Sequence, residues 1–305
     1  MPRVFLYEQI TALGLGESPY SPLHSLYLEG RLMRDAVAED FRLVPGVELD
    51  CFQPGELEER FDFAVQTADW TILIAPETGG ELFRLAKRVE QLGGNLLGPS
   101  STAVELTSDK LALAKHWQTC GVRTPRVLNS EERTFPCVVK PRDGAGSNAT
   151  FLIRDEADWK NAKDQFPSNA IVQPFISGIA ASVAFVIGNS AVPLVPTRQI
   201  QSDDGHFHYL GGELPIEPEL AVRAIQIGLR AVECVPGLFG YVGVDLILGN
   251  SATHDSVIEI NPRLTTSYIG LRRLAKTNLA SAMLAIAAGS PHSLFWGAEP
   301  IQFSV

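Results

Sequence analysis

No stretch of the 305-residue sequence carries the roughly 18 to 20 consecutive apolar residues that a membrane-crossing helix requires. An integral membrane protein is therefore not expected. Positive charge is also scarce: 25 Lys and Arg stand against 35 Asp and Glu, a net charge of −10. The pI is near 5.1. A chain this acidic lacks the basic footprint of a general nucleic-acid binder, although local pockets for small anions stay open. Cysteine is sparse. Cys51, Cys120, Cys137 and Cys234 are far apart in the chain and form no CxxC pair. That argues for reduced thiols rather than a disulfide framework or a structural zinc site. Glycine and proline are near ordinary usage, which excludes collagen-like and low-complexity sequence. The first eight residues place Arg3 and Glu8 around a short apolar stretch, without a secretory signal's long apolar segment and cleavage site. The cytoplasm is the expected compartment.

What is present suffices for a large core, since 45% of residues are apolar and only 20% charged. The length suggests about two domains. Short apolar runs at 3–7 and 70–75 predict buried strands. A helical pattern follows the second, with Leu82, Leu85, Ala86, Val89 and Leu92 on one face and Gly93 and Gly94 as its stop. Strands alternating with helices predict a parallel sheet, whose ligands sit at the carboxyl ends of strands. Tyr7, Glu8, Glu77 and Thr78 are then candidates for lining a ligand pocket. Gly98 to Ser101 is a turn-rich break, and Ser108 reads as the N-cap of a helix reaching Thr119. Further on, the pattern predicts strands at 137–140, 150–153, 171–176 and 182–187, with a loop at 141–149. A helix begins at Pro218 and runs to about Val232, two strands occupy 240–249 and 257–261, and a last helix covers 277–288. There is no internal repeat.

The chemistry concentrates near the C-terminus. Asp245 is the single carboxylate in an apolar strand. Alternation over 257–261 puts Glu259 and Asn261 on one face and turns Ile258 and Ile260 toward the core. A hairpin centred near residue 252 sets Asp245 opposite Glu259. Like charges directly opposed are destabilising, and burying unpaired carboxylates costs several kcal/mol, so a positive group belongs between them. Two carboxylates and an amide oxygen suit magnesium, which leaves positions open for phosphate oxygens. The plainer alternative is a solvated sheet face.

Lys140 ends an apolar strand and is followed by Gly144, Gly146 and Ser147. Such a loop can set a point charge and backbone N–H groups around phosphates. It is no Walker A loop, and a flexible hairpin with a surface lysine is the bland reading. Lys110 sits in the first turn of its helix, where the macrodipole disfavours a cation unless an anion lies nearby. The run 171–176 either offers backbone groups to an adenine edge or is simply core. Gly14 and Gly16 precede Ser18 and Pro19, which leaves the GxGxxG fingerprint incomplete. His206 and His208 share a predicted strand face without a third ligand, and Ser182 lacks a GxSxG context.

In this order, these residues resemble the ATP-grasp superfamily of carboxylate–amine ligases. The matching pieces are Ser108 to Lys110, Val139 to Pro141 with the glycine loop, Gln173 to Gly178, Val244 with Asp245, and Glu259 to Arg263. The resemblance implies an α/β (α+β) fold. A Rossmann-like pre-ATP-grasp domain over 1–107 would precede a two-subdomain ATP-grasp fold. Its small subdomain with the glycine-rich lid would cover 108–177, and its C-terminal subdomain with the metal and substrate site 178–305. It further implies that Lys110 and Lys140 hold the phosphates of ATP under a lid containing Gly144, Gly146 and Ser147. The strand with Gln173, Phe175 and Ile176 would bind adenine, with Gln173 standing where an acidic residue is common. Asp245, Glu259 and Asn261 would hold Mg2+ (or Mn2+). Arg263, with Lys140, is the catalytic candidate, to bind the carboxylate or stabilise an oxyanion, and Arg198 is a further anion-binding candidate.

More narrowly, residues 259–268, Gly270 and residues 75–78 are similar to the tyramine–L-glutamate ligase group, which adds Tyr268 to the pocket candidates. The implied activity is ATP-dependent joining of L-glutamate to tyramine or a related amine through an acyl-phosphate, releasing ADP and phosphate. Two alternatives stand beside it: a ligase of other amino acids, of the D-alanine–D-alanine kind, and a non-catalytic nucleotide-binding module. The expected partners are small-molecule substrates, not nucleic acid or membrane, and a homodimer is common in the superfamily.

Overall fold

A computed structural model of the chain describes residues 2–129, 132–144, 146, 149–290 and 292–304. Its N-terminal part comprises β1 (Arg3–Glu8), α1 (Gln9–Ala12), α2 (His24–Arg42), β2 (Glu48–Cys51), α3 (Glu58–Thr67), β3 (Trp70–Ile74), α4 (Glu81–Gln91) and α5 (Ser101–Ser108). The strands form a parallel sheet in the order β2-β1-β3. Both faces of β1 are covered. Val4 and Leu6 join Met33, Val37 and Phe41 of α2, while Phe5 and Tyr7 join Phe61 of α3 and Leu82, Ala86 and Val89 of α4. The two-residue period of a strand divides its apolar run between the two helical layers.

The next part holds α6 (Lys110–Thr119), β4 (Cys137–Pro141), β5 (Phe151–Ile153), α7 (Glu156–Ala162) and β6 (Ala170–Pro174). Its three strands are antiparallel, with β4 in the centre. Ser108 is not the helix cap that its position suggested, because α5 still includes it. Asp109 caps α6 instead, its Oδ1 accepting from the N–H groups of Leu111 and Ala112 at 3.1 Å each.

The remainder comprises β7 (Ile179–Ile187), β8 (Ala191–Pro193), β9 (Thr197–Gln201), β10 (Tyr209–Leu214), α8 (Pro218–Glu233), β11 (Gly240–Leu248), β12 (Ser256–Asn261), α9 (Ser267–Leu274), α10 (Leu279–Ala287) and β13 (Ile301–Ser304). They build an antiparallel sheet in the order β12-β11-β7-β9-β10-β13, with β8 paired to β7. His206 and His208 do not share a strand. They lie in the loop between β9 and β10, where Gly205 and Phe207 take positive φ and the two imidazoles stack at 5.7 Å.

The N-terminal sheet and the large sheet share one core, in which Met33, Val37 and Phe41 of α2 meet Tyr268, Leu271 and Met283. A buried polar pin crosses it: Asp40 accepts from the Tyr268 hydroxyl at 2.6 Å and from Arg272 Nη2 at 2.8 Å. Among the described residues no helix is long and apolar enough to cross a membrane.

Candidate active site

A cavity of about 230 Å³ opens between the β4–β6 sheet and the large sheet, with Glu29 of α2 on its lining. Its acidic wall comes from the β11–β12 hairpin, in which Asp245 pairs directly with Glu259. The register shifts between Asp245 and Leu246, whose partner is Val257, so Ile258 is the extra residue of a bulge. Strict alternation would have sent Ile258 into the core. The bulge turns it to the cavity instead, while Ile260 stays buried. Asp245 accepts from Gln199 Nε2 at 2.8 Å and from Asn261 Nδ2 at 3.0 Å. Burial, then the Glu259 charge, pushes the Asp245 carboxyl well above its usual range. Burial acts on Glu259 in the same sense, but the Lys110 and Lys140 charges outweigh it and hold that carboxyl down.

Two lysines face the acids. Lys110 Nζ lies 3.1 Å from Glu259 Oε2 and donates to Gly144 O at 2.9 Å. It therefore ties the acidic wall to the glycine loop, which explains a cation at a helix N-terminus. Lys140, only 8% exposed, has no hydrogen-bond or ion-pair partner among the described residues. Burial, reinforced by the Lys110 charge, lowers its ammonium to about 8. The loop is anchored where it leaves β4. Arg142 pairs with Asp109, and Asp143 accepts from the backbone N–H of Gly79 at 2.7 Å and from Asn169. Gly144 and Gly146 approach Thr78 and Leu26, so the loop leans over the cavity toward α2. Ser147 lies outside the described residues.

The far wall holds Arg263 and Glu77, paired at 2.9 Å through Nε and Oε1, with a second contact of 3.2 Å from Nη2 to Oε2. Glu29 of α2 also lines the cavity and has no hydrogen-bond or ion-pair partner among the described residues. Burial raises its carboxyl and the Arg263 charge opposes the rise. The other pocket candidates are committed elsewhere. Tyr7 packs edge-on against Phe52 and Phe61, Glu8 caps α1 through Ile10 and Thr11, and Tyr268 is fully buried on Asp40. Packing of a sheet face, a helix cap and a buried hydrogen bond claim these three side chains in turn. Arg198 pairs with Glu217 at 3.6 Å and does not line the cavity.

At the opposite end the cavity is lined by Gln173, Phe175 and Ile176, although β6 itself ends at Pro174. Gln173 Nε2 donates to Pro125 O at 2.9 Å, so this buried amide braces the backbone. The N–H of Phe175 is likewise bound, to Pro136 O at 3.0 Å. The Phe175 ring lies nearly parallel to Phe207, with centroids 6.3 Å apart. That pair suits a flat apolar ring better than it suits polar recognition.

The acidic wall also suits a divalent cation. Asp245 and Glu259 supply two hard carboxylates directly opposed across β11 and β12, and Asn261 Nδ2 engages Asp245 while its Oδ1 has no partner among the described residues. This is the donor set that magnesium takes. Glu29, Gln199 and Phe207 are among the cavity residues that escaped sequence reasoning, and Ser182, set aside there, lines the cavity too and pairs with Asp245 across β7 and β11. An acid on an amphipathic helix carries no local signal of its use. The alternation of β9 offered one for Gln199.

Comparison with known proteins agrees with this geometry. A family model described as the ATP-grasp domain matches residues 107–267, and one described as the pre ATP-grasp 3 domain matches residues 32–104. The chain is 30% identical over 271 residues to a tyramine–L-glutamate ligase of Methanocaldococcus fervens, covering 88% of this chain and 82% of that one. A tyramine–L-glutamate ligase of Methanocaldococcus jannaschii is 32% identical over 247 residues, 79% of this chain and 69% of its own. Among solved structures, an ATP-grasp superfamily protein of Archaeoglobus fulgidus superposes with a TM-score of 0.72 at 26% identity, covering 95% of this chain and 89% of that one. The chain belongs to the ATP-grasp family and is an enzyme of its ligase kind.

Proposed function

We propose that this ATP-grasp enzyme joins the carboxyl of L-glutamate to tyramine or a closely related amine, with ATP converted to ADP and phosphate. The observation that carries the reading is the opposed pair Asp245 and Glu259 facing Lys110 and Lys140 across one cavity. A carboxylate at neutral pH is a poor electrophile, so one of its oxygens must first become a leaving group. The carboxylate oxygen attacks the γ-phosphorus of ATP and ADP departs, leaving an acyl-phosphate. The amine then attacks the acyl carbon, loses a proton and expels phosphate.

Each wall has a part in this scheme. Lys140, without a side-chain partner among the described residues, and Lys110, bridging Glu259 and Gly144, fix the phosphates in line; phosphoryl transfer asks mainly for such positioning and for charge stabilisation. Asp245, Glu259 and Asn261 would hold magnesium, which when bound neutralises charge on the β- and γ-phosphates. Phe175 and Phe207 sandwich the adenine end. The loop with Gly144 and Gly146 excludes water from the reactive acyl-phosphate. Arg263, oriented by Glu77, takes the substrate carboxylate or the oxyanion formed from it. Glu29, unpaired among the described residues, is placed on the same wall to hold the ammonium of the amine and accept its proton. The 30–32% identity to tyramine–L-glutamate ligases supports this substrate pair. The test is ADP release from purified protein with ATP, Mg2+, L-glutamate and tyramine, each omitted in turn. Release that needs all four is expected; full release with another amino acid in place of both organic substrates would overturn the assignment.

A further inference from the structure

A second cluster of chemistry-bearing side chains lies outside this cavity. Among the described residues, His116, Cys120 and Cys234 bring an imidazole nitrogen and two thiol sulfurs within 4.8 Å of one another. Their separation in sequence concealed this. His116 and Cys120 are four residues apart at the end of α6 and so share a face. Cys120 is the C-cap of that helix and Cys234 is the C-cap of α8. Cys120 Sγ stands 3.8 Å from His116 Nε2. Nitrogen and sulfur bound to one tetrahedral zinc, at about 2.0 and 2.3 Å from the metal, are roughly 3.5 Å apart, so small adjustments suffice.

The surroundings favour a cation. Two helices, α6 and α8, direct their C-terminal ends at the cluster, and each such end carries partial negative charge. Cys120 is exposed while His116 and Cys234 are half-buried, which leaves an approach from solvent. We propose that His116, Cys120 and Cys234 form a binding site for a soft divalent cation, zinc foremost, with water completing a four-coordinate shell. His116 Nε2 lies 2.7 Å from Cys234 O, closing the end of α8. On binding, that nitrogen turns from the carbonyl to the metal, with its proton carried on Nδ1, and both thiols release theirs.

A redox disulfide between Cys120 and Cys234 is the competing use of the same atoms. It joins the two sulfurs and leaves the imidazole on the Cys234 carbonyl. Both sulfurs also sit at helix C-termini, whose partial negative charge disfavours the thiolate that exchange requires. A cation supplies the compensating charge itself. The site is separate from the phosphate site, because Lys110 begins the same helix about 15 Å away. Bound metal would join α6 to α8 beside the existing contact from Trp117 Nε1 to Ala231 O at 3.1 Å.

The experiment titrates the full-length, reduced, metal-stripped protein with Co2+, followed by Zn2+ in competition. One equivalent of Co2+ is expected to produce an intense near-ultraviolet thiolate-to-cobalt charge-transfer band, which Zn2+ removes. The oxygen ligands of the acidic wall cannot produce that band, so the wild-type titration decides even if a variant misfolds. The Cys120→Ser/Cys234→Ser protein should lose the band, and the rise in Tm with Zn2+, while keeping ADP formation in Mg2+. Absence of the band in the wild type, an unchanged band in the double variant, or loss of two thiols without bound metal would each overturn the proposal.

Discussion

Lys140 is held in an environment that opposes its own charge, and an anion is what resolves the conflict. Its ammonium is buried and lowered to about 8 by that burial. The charged form therefore prevails below about 8 and is lost above it. If that ammonium binds the phosphates, kcat/KM for ATP falls about tenfold per pH unit as pH rises past this point, because kcat/KM reports the free enzyme. Lys140→Ala should remove this alkaline limb and lower kcat/KM by about 10²-fold, on the scale of one lost oxyanion donor. Initial rates of ADP formation across pH check both; an alkaline limb that survives in the variant assigns the titration to another group. Lys140 was legible because a lysine ending an apolar strand before glycines is conspicuous. Glu29 was not, since the charged face of a helix such as α2 looks the same whether it meets water or substrate. Tyr268 misled in the opposite direction: its place in a motif suggested the pocket, and packing gave it to Asp40.

At the scale of elements, uniform apolar character was the reliable guide. β1, β3, β4, β7 and β11 are nearly continuous apolar runs and end within a few residues of their expected bounds. The stretch from β8 to β10 was missed because its strands are short, partly exposed and broken by Pro193, Pro196 and a turn through Gly205. The bulge at Ile258 was beyond any period argument, since alternation assumes one residue per step. Helix α8 carries a further consequence of close packing. An added Cβ at Gly228 would stand 2.5 Å from Val183 Cγ1 and 3.1 Å from the Phe185 ring. Alanine normally favours a helix over glycine by about 1 kcal/mol, but overpacking a filled core costs about 1–3 kcal/mol. Gly228→Ala should therefore lower the midpoint of urea unfolding. A higher midpoint would mean that Val183 moves aside freely.

The whole molecule explains why the site exists at all. No single sheet contains it: the hairpin β11–β12 brings the acids, β4 and α6 the lysines, and the N-terminal part brings Glu29 and, behind Arg263, Glu77. The shared core beneath α2, α9 and α10 keeps the first and last of these walls at a fixed spacing. Sequence order revealed the two walls built from short contiguous motifs, and only tertiary structure could reveal the third. The central claim is electrostatic. On the proposed reading, Asp245 and Glu259 tolerate each other because the lysines, a bound divalent cation and a triphosphate would complete their charge balance. The most direct measurement is Mg2+-dependent ADP formation by Glu259→Gln, a change that keeps size and removes charge. A loss of at least about 10²- to 10³-fold is expected, in a protein with an unaltered circular dichroism spectrum. A rate equal to that of the wild type would contradict the claim.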